Sequence, residues 1–150
     1  MYSFRNDYSE GAHPKVLRAL MDTNAVQTVG YGTDPYCAAA ADTVRRLCAA
    51  PDAAVHFLVG GTQVNLVTID AFLQSYEAVI AAQTGHVSTH ETGAVEATGH
   101  KVCTAESPDG KLTPALIESV LAGHNGTEHM VLPRLVYISD TTEIGTLYTR

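Results

Sequence analysis

Apolar residues recur along this chain with two distinct spacings, and the changes of spacing divide it into elements. The stretch from residue 2 to residue 12 is polar and punctuated by glycine, and reads as an extended arm or loop. After Pro14, a residue suited to the first position of a helix, Val16, Leu17, Leu20 and Met21 fall at i, i+1, i+4 and i+5. That spacing predicts a first helix closing near Asn24, with this face in the core. Gly30-Tyr31-Gly32 breaks the chain, and Asp34-Pro35 supplies a cap and first-turn pair for an alanine-rich helix to about Ala49. Its apolar stripe is Cys37, Ala41, Val44 and Cys48.

From residue 54 the helical period gives way to a short continuous apolar run, Ala54-Val55-His56-Phe57-Leu58-Val59, the pattern of a strand covered on both faces. Gly60-Gly61 ends it, Thr62 is a candidate cap, and Val64, Leu66, Val67, Ile69, Ala71 and Phe72 predict a largely buried helix. A second strand is expected over residues 78–81, a third over 101–104 and a fourth over 135–139. Between the last two lie a surface turn, Ser107-Pro108-Asp109-Gly110, and a helix capped by Thr113-Pro114 that carries Leu116, Ile117, Val120 and Leu121 on one face. Nearly all-apolar strands alternating with helices predict an α/β fold with a mostly parallel sheet flanked by helices. The expected organisation is one domain in total: an N-terminal arm and helix over residues 1–25, then an incomplete α/β domain over 26–150. The chain closes on an extended stretch with no final helix, so it reads as truncated at its C-terminal end.

Composition narrows the function classes. At 150 residues and 45% hydrophobic content the chain is long enough for one real core. Its net charge of -7, with scattered Lys and Arg, argues against a nucleic-acid partner. Cys37, Cys48 and Cys103 are odd in number and widely spaced, which fits reduced, buried apolar thiols rather than a disulfide framework. No leader-like apolar segment opens the chain and no stretch approaches the roughly 20 apolar residues of a membrane span, so the expectation is a cytoplasmic protein without a membrane partner.

Ligands of open α/β sheets gather at the carboxyl ends of the strands, which singles out three places. At Gly60-Gly61-Thr62-Gln63-Val64-Asn65 the backbone can approach a ligand closely, and a helix start there would offer free N–H groups to a phosphate; the alternative is a glycine turn that merely joins strand to helix. At Gln83-Thr84-Gly85-His86 an imidazole stands at the ligand-bearing edge, where its plane could stack on an aromatic cofactor or be satisfied by a nearby carbonyl. His86 and His90 also have i, i+4 spacing, but metal binding would need Glu91 or Glu96 to converge as a third ligand within a helix that Gly85 and Gly93 keep short. The third place, Ser139-Asp140-Thr141-Thr142-Glu143, gathers hydroxyls and carboxylates that either orient a substrate hydroxyl or cap a strand end.

Taken in order, Arg5-Asn6-Asp7, Gly30-Tyr31-Gly32-Thr33-Asp34-Pro35, Phe57-Leu58-Val59-Gly60-Gly61-Thr62-Gln63-Val64-Asn65, Gly85-His86 and Glu91-Thr92-Gly93-Ala94 resemble the threonine aldolase and β-eliminating lyase family over almost the whole chain. That family is a branch of the aspartate-aminotransferase-like enzymes that use pyridoxal 5'-phosphate. The resemblance implies the N-terminal part of their cofactor-binding large domain. It implies that Gly60, Gly61 and Thr62 hold the cofactor phosphate, that His86 stacks on the pyridine ring and helps move protons, and that Glu91 stands in the active-site wall. It places Asn6 near the substrate carboxylate and Tyr31 in a site shared between subunits of a homodimer or homotetramer. The activity implied is cleavage of a β-hydroxy-α-amino acid, threonine or allo-threonine, to glycine and acetaldehyde, with β-elimination on another amino acid as the alternative. The segment around Thr142 lacks the histidine typical of threonine aldolases, which opens the choice of β-hydroxy amino acid. The lysine that anchors the cofactor is expected beyond residue 150, because Lys15, Lys101 and Lys111 fall on a helix surface, a strand start and a turn. These 150 residues alone are therefore expected to be inactive. A noncatalytic domain that dimerises or binds a phosphorylated small molecule is the reading from a different class.

Overall fold

A computed structural model describes residues 2, 3, 5, 6, 8–124 and 126–149. Asp7 and Arg150 thus lie outside the described residues, and Arg5-Asn6-Asp7 is seen only through its first two members. The chain divides into two compact units, Met1–Phe57 and Leu58–Arg150.

In the first unit, α1 (Pro14–Thr23) starts at its proline, with His13 Nδ1 accepting the Lys15 N–H at 3.2 Å. The expected core face of α1 is not covered: Val16, Leu17, Leu20 and Met21 are all exposed and no residue of the helix is buried. Helical spacing shows that a face is apolar, but burial needs a partner surface, and this face has none among the described residues. Helix α2 (Pro35–Leu47) is capped as its sequence predicts, Asp34 Oδ1 accepting the N–H groups of Tyr36 and Cys37 at 2.9 Å each. Of its stripe, Ala41 is buried, Cys37 half-buried, and Val44 and Cys48 exposed. Cys48 therefore corrects the expectation of three buried thiols, although all three are free. The apolar run at residues 54–59, expected as a covered strand, is not one: it forms no ladder, and Phe57, Leu58 and Val59 are exposed. High β-propensity gives a strand only where another strand supplies hydrogen bonds, and this run takes part in none of the described ladders.

The second unit is built on a parallel sheet of β1 (Glu77–Ala82), β2 (Lys101–Ala105) and β3 (Leu132–Val136) in the order β2-β1-β3. Its helices are α3 (Gly61–Phe72), α4 (His86–Thr89), α5 (Ala94–Ala97) and α6 (Pro114–Gly123). The central strand reads as continuous apolar sequence because both of its faces are buried. Val79 and Ala81 pack with Ile69 and Leu73 from the region of α3 and with Val87 and Val95 of α4 and α5. Ala78, Ile80 and Ala82 face the other way, into Cys103, Ala105 and Leu112, with Leu116, Ile117 and Val120 of α6 against them. Burial also pushes the Cys103 thiol above its ordinary pKa, an effect that the Lys101 ammonium partly offsets.

Three further expectations are corrected here. Only Ile69 of α3 is buried, with Val64, Val67 and Phe72 exposed, so the helix is not largely buried. The fourth expected strand is found three places earlier, because the register slips between Ala78 and Val79 and so admits Pro133, which has no N–H to give a regular ladder. Ser107 and Gly110 of the supposed surface turn are buried, Gly110 lying under Thr84, Thr142 and Ile144. Among the described residues no helix is long and apolar enough to cross a membrane.

Candidate active site at the end of the central strand

At the carboxyl end of β1 the chain turns sharply: Gly85 N–H donates to Ala82 O at 2.8 Å, and a Cβ at Gly85 would lie 3.0 Å from that same oxygen. Glycine is needed for the close approach, and it delivers His86 directly onto the first position of α4. One short turn later comes Glu91, whose side chain is 0% exposed and whose Oε1 lies 2.8 Å from His86 Nδ1. A carboxylate oxygen only accepts, so in the neutral ring Nδ1 carries the proton and Nε2 is left as an acceptor on a side chain that is 46% exposed. His90 is exposed, its ring centroid 5.5 Å from that of His86 and tilted by 56°. Among the described residues no group of three His, Cys, Asp or Glu converges as a metal-binding set.

Two residues distant in sequence complete the cluster. Asn65 Nδ2, from the second turn of α3, donates to Glu91 Oε1 at 2.5 Å across 26 residues. Glu91 Oε2 is buried with no hydrogen-bond partner among the described residues. Glu143 Oε1 accepts the His86 backbone N–H at 2.8 Å and the Ser139 hydroxyl at 2.6 Å. Of the two readings open for residues 139–143, the capping one describes what Glu143 does, although the element it caps is α4 rather than its own strand. Gln83 ties the same end of the sheet to the next loop, its Oε1 accepting Ser107 N–H at 2.6 Å.

Helix α3 begins with Gly60 as an extended N-cap and no side-chain cap. Thr62, a candidate cap by sequence, lies inside the first turn instead, because Val64 N–H already closes on Gly60 O at 3.0 Å. The N–H groups of Gly61, Thr62 and Gln63 have no acceptor among the described residues, as expected at a helix start. No atom comes within 4 Å of a Cβ placed at Gly60 or Gly61, so the space in front of this turn is open. Asn65 stands one turn further along the same helix, and through Glu91 it links this glycine turn to the His86 ring.

Asn6 and Tyr31 belong to the first unit. Asn6 Oδ1 accepts the Tyr8 N–H at 3.2 Å and the Ser9 hydroxyl at 2.6 Å, while Tyr31 is fully exposed at a positive φ of 65°. Of the lysines in the second unit, Lys101 opens β2 at the end of the sheet away from His86, and Lys111 is engaged with Asp109 at 3.2 Å. The sequence singles out His86, Glu91, the glycine turn and the hydroxyl and carboxylate cluster of residues 139–143, but gives no role to Asn65. No local signal marks Asn65, since it acts on a partner brought near by folding.

Comparison with known proteins places the chain among relatives. Residues 4–150 match the model of the Beta-eliminating lyase family. The low specificity L-threonine aldolase of Pseudomonas sp. (strain NCIMB 10558) is 38% identical over 147 residues, 97% of this chain and 42% of that protein. The low specificity L-threonine aldolase of Pseudomonas aeruginosa is 36% identical over 147 residues, with the same 97% and 42% coverage. A solved structure of Leishmania major threonine aldolase superposes with a TM-score of 0.94 at 59% identity, covering 99% of this chain and 43% of that one. The chain thus spans less than half the length of each of these relatives.

Proposed function

Because the chain belongs to the Beta-eliminating lyase family, we propose that the whole protein is a pyridoxal-phosphate-dependent lyase that cleaves a β-hydroxy-α-amino acid, threonine or allo-threonine, to glycine and acetaldehyde. The observation that carries this reading is the Asn65–Glu91–His86 chain of hydrogen bonds, which joins a free helix N-terminus to a half-exposed imidazole at the carboxyl end of β1. The names of the similar proteins, all threonine aldolases, support it.

The residues present fit a phosphorylated aromatic cofactor. The N–H groups of Gly61 and Thr62, together with the Thr62 hydroxyl, are donors for the phosphate, and the absence of a side chain at Gly60 and Gly61 keeps that approach open. The half-exposed His86 ring offers a flat face for stacking, and the buried Glu91 Oε2, without a partner among the described residues, marks a polar site rather than a packed core. When bound, the cofactor's conjugated ring accepts the electrons of the bond broken at the substrate's α-carbon.

The protein's own part is to bind, orient and move a proton. Glu91 holds the His86 ring through Nδ1, so Nε2 is the atom that takes the proton of the substrate β-hydroxyl, directly or through one water, before the carbon–carbon bond breaks. Glu91 stands behind the ring as its orienting partner and receives no proton itself. Asn6 and Tyr31 are assigned to substrate recognition, Tyr31 at a site shared with a second copy. The uncovered apolar face of α1 supports association as a homodimer or homotetramer. The cofactor's lysine is assigned to the rest of the whole protein, since neither Lys101 nor Lys111 stands free beside His86.

The deciding experiment is an assay of the full-length protein with added pyridoxal phosphate on threonine and allo-threonine. Release of glycine and acetaldehyde is expected, and His86→Asn should lower kcat by about 100-fold. Release of ammonia and an oxo acid instead would favour β-elimination, and no turnover of any of these amino acids would end the lyase reading.

A further inference from the structure

The roles given to His86 and Glu91 leave Asn65 unexplained, although it makes the shortest contact of the cluster. Its Nδ2 lies 2.5 Å from Glu91 Oε1, the same oxygen that accepts His86 Nδ1 at 2.8 Å. Because that oxygen only accepts, the amide must present its nitrogen, and the orientation of Asn65 is set by chemistry. The Glu91 side chain is 0% exposed and its other oxygen has no partner among the described residues. Asn65 and His86 therefore supply every donor this buried carboxylate has there. A carboxylate so sparsely satisfied feels the loss of one donor strongly, since water cannot freely replace it.

We propose that Asn65 is a positioning residue. Its amide turns the Glu91 carboxylate toward His86 and so keeps the imidazole in the Nδ1–H form, with Nε2 as the working acceptor. Without the amide, the carboxylate has lost half its donors and is compensated by rotating or by taking a proton. In either case Nδ1 no longer has to carry the ring hydrogen, and the Nε2–H form, which accepts nothing at the working atom, becomes populated. The catalytic consequence rests on the lyase reading of the site; the tautomer itself does not.

The test uses full-length protein with 15N-labelled histidine, the His86 signals being identified by their absence in His86→Gln. In the unaltered protein His86 should show the Nδ1–H pattern alone. Asn65→Leu, close in size but without a donor, should give a mixture of tautomers and a kcat about 10-fold lower or more, with KM within about threefold. Asn65→Asp should displace the pH profile of kcat, because a second carboxyl beside Glu91 donates only when protonated. A His86 that keeps its single Nδ1–H form in both variants overturns the proposal, whatever happens to kcat, because a loss of rate alone would mean that Asn65 acts through packing. Should Asn65→Leu not fold, the isosteric Asn65→Asp carries both readouts. If even the unaltered protein lacks lyase activity, the proposed reaction fails, while the tautomer comparison still decides the role of Asn65.

Discussion

Glu143 and His86 are 57 residues apart in sequence, yet Glu143 Oε1 accepts the His86 backbone N–H at 2.8 Å. That N–H is the first of α4, a helix of 4 residues whose N-cap, Gly85, makes no side-chain bond. A helix this short is not stable by itself, because one turn fixes more dihedral angles than its hydrogen bonds repay. Its start is held instead by a carboxylate from the turn after β3, where Gly145 N–H closes on Thr142 O at 2.9 Å.

Glu143→Ala should therefore leave the His86 N–H without its acceptor and the Ser139 hydroxyl with only the Tyr137 hydroxyl, at 3.4 Å. We expect a stability loss of about 1–3 kcal/mol, measured by urea unfolding of the full-length protein. Glu143→Gln, which retains one acceptor oxygen, should lose less than the alanine variant. Equal losses in the two would show that charge, rather than the acceptor atom, holds α4.

Two glycines should respond in opposite ways. At Gly110, with φ of +73°, an added Cβ would meet Ile144 Cγ1 and Thr84 Oγ1 at 3.2 Å and Thr142 Cβ at 3.3 Å. Gly110→Ala combines left-handed strain with overpacking and should cost about 1–3 kcal/mol. At Gly61 a Cβ meets nothing within 4 Å. Gly61→Val should melt within about 2 °C of the unaltered protein while weakening pyridoxal-phosphate binding by about 10-fold or more, as read by cofactor titration. Unchanged cofactor affinity in Gly61→Val would remove this turn from the phosphate site.

Asp34 gives the first unit an acid-sensitive helix start. The Cys37 thiol and then the Cys37 backbone N–H, with smaller help from Tyr36 N–H, hold its carboxyl below the ordinary value of 3.8. A carboxyl lowered by folding contributes stability that is present above 3.8 and is lost as pH falls through its folded-state value. The melting temperature of the full-length protein should thus carry an acid-side fall that is reduced in Asp34→Asn, which still caps through its amide oxygen. Identical pH dependence in the two proteins would show that this carboxyl contributes nothing to acid sensitivity.

Much of the fold was legible where the physics is local. The starts of α1, α2 and α6 could be read from Pro14, Asp34-Pro35 and Thr113-Pro114, because a cap acts on N–H groups two or three residues away. The central strand could be read because burial on both faces leaves a continuous apolar run. An equally apolar run at residues 54–59 misled for the same reason: its composition resembles that of β1, but it has no described strand to pair with. Likewise, helical spacing revealed the apolar face of α1 without revealing whether anything covers it.

The amino-acid order alone determined the α/β class, the family pattern, the open glycine turn and the presence of His86 and Glu91 one short turn apart. These follow from interactions within a few residues or from strings of residues read in order. Tertiary structure decided the rest of the site. Asn65 and Glu143 bear on His86 only because α3 and the turn after β3 are brought to the same end of β1. A side chain's partner in such a cluster is set by the packing of whole elements, and no property of Asn65 or Glu143 within its own stretch of sequence encodes it.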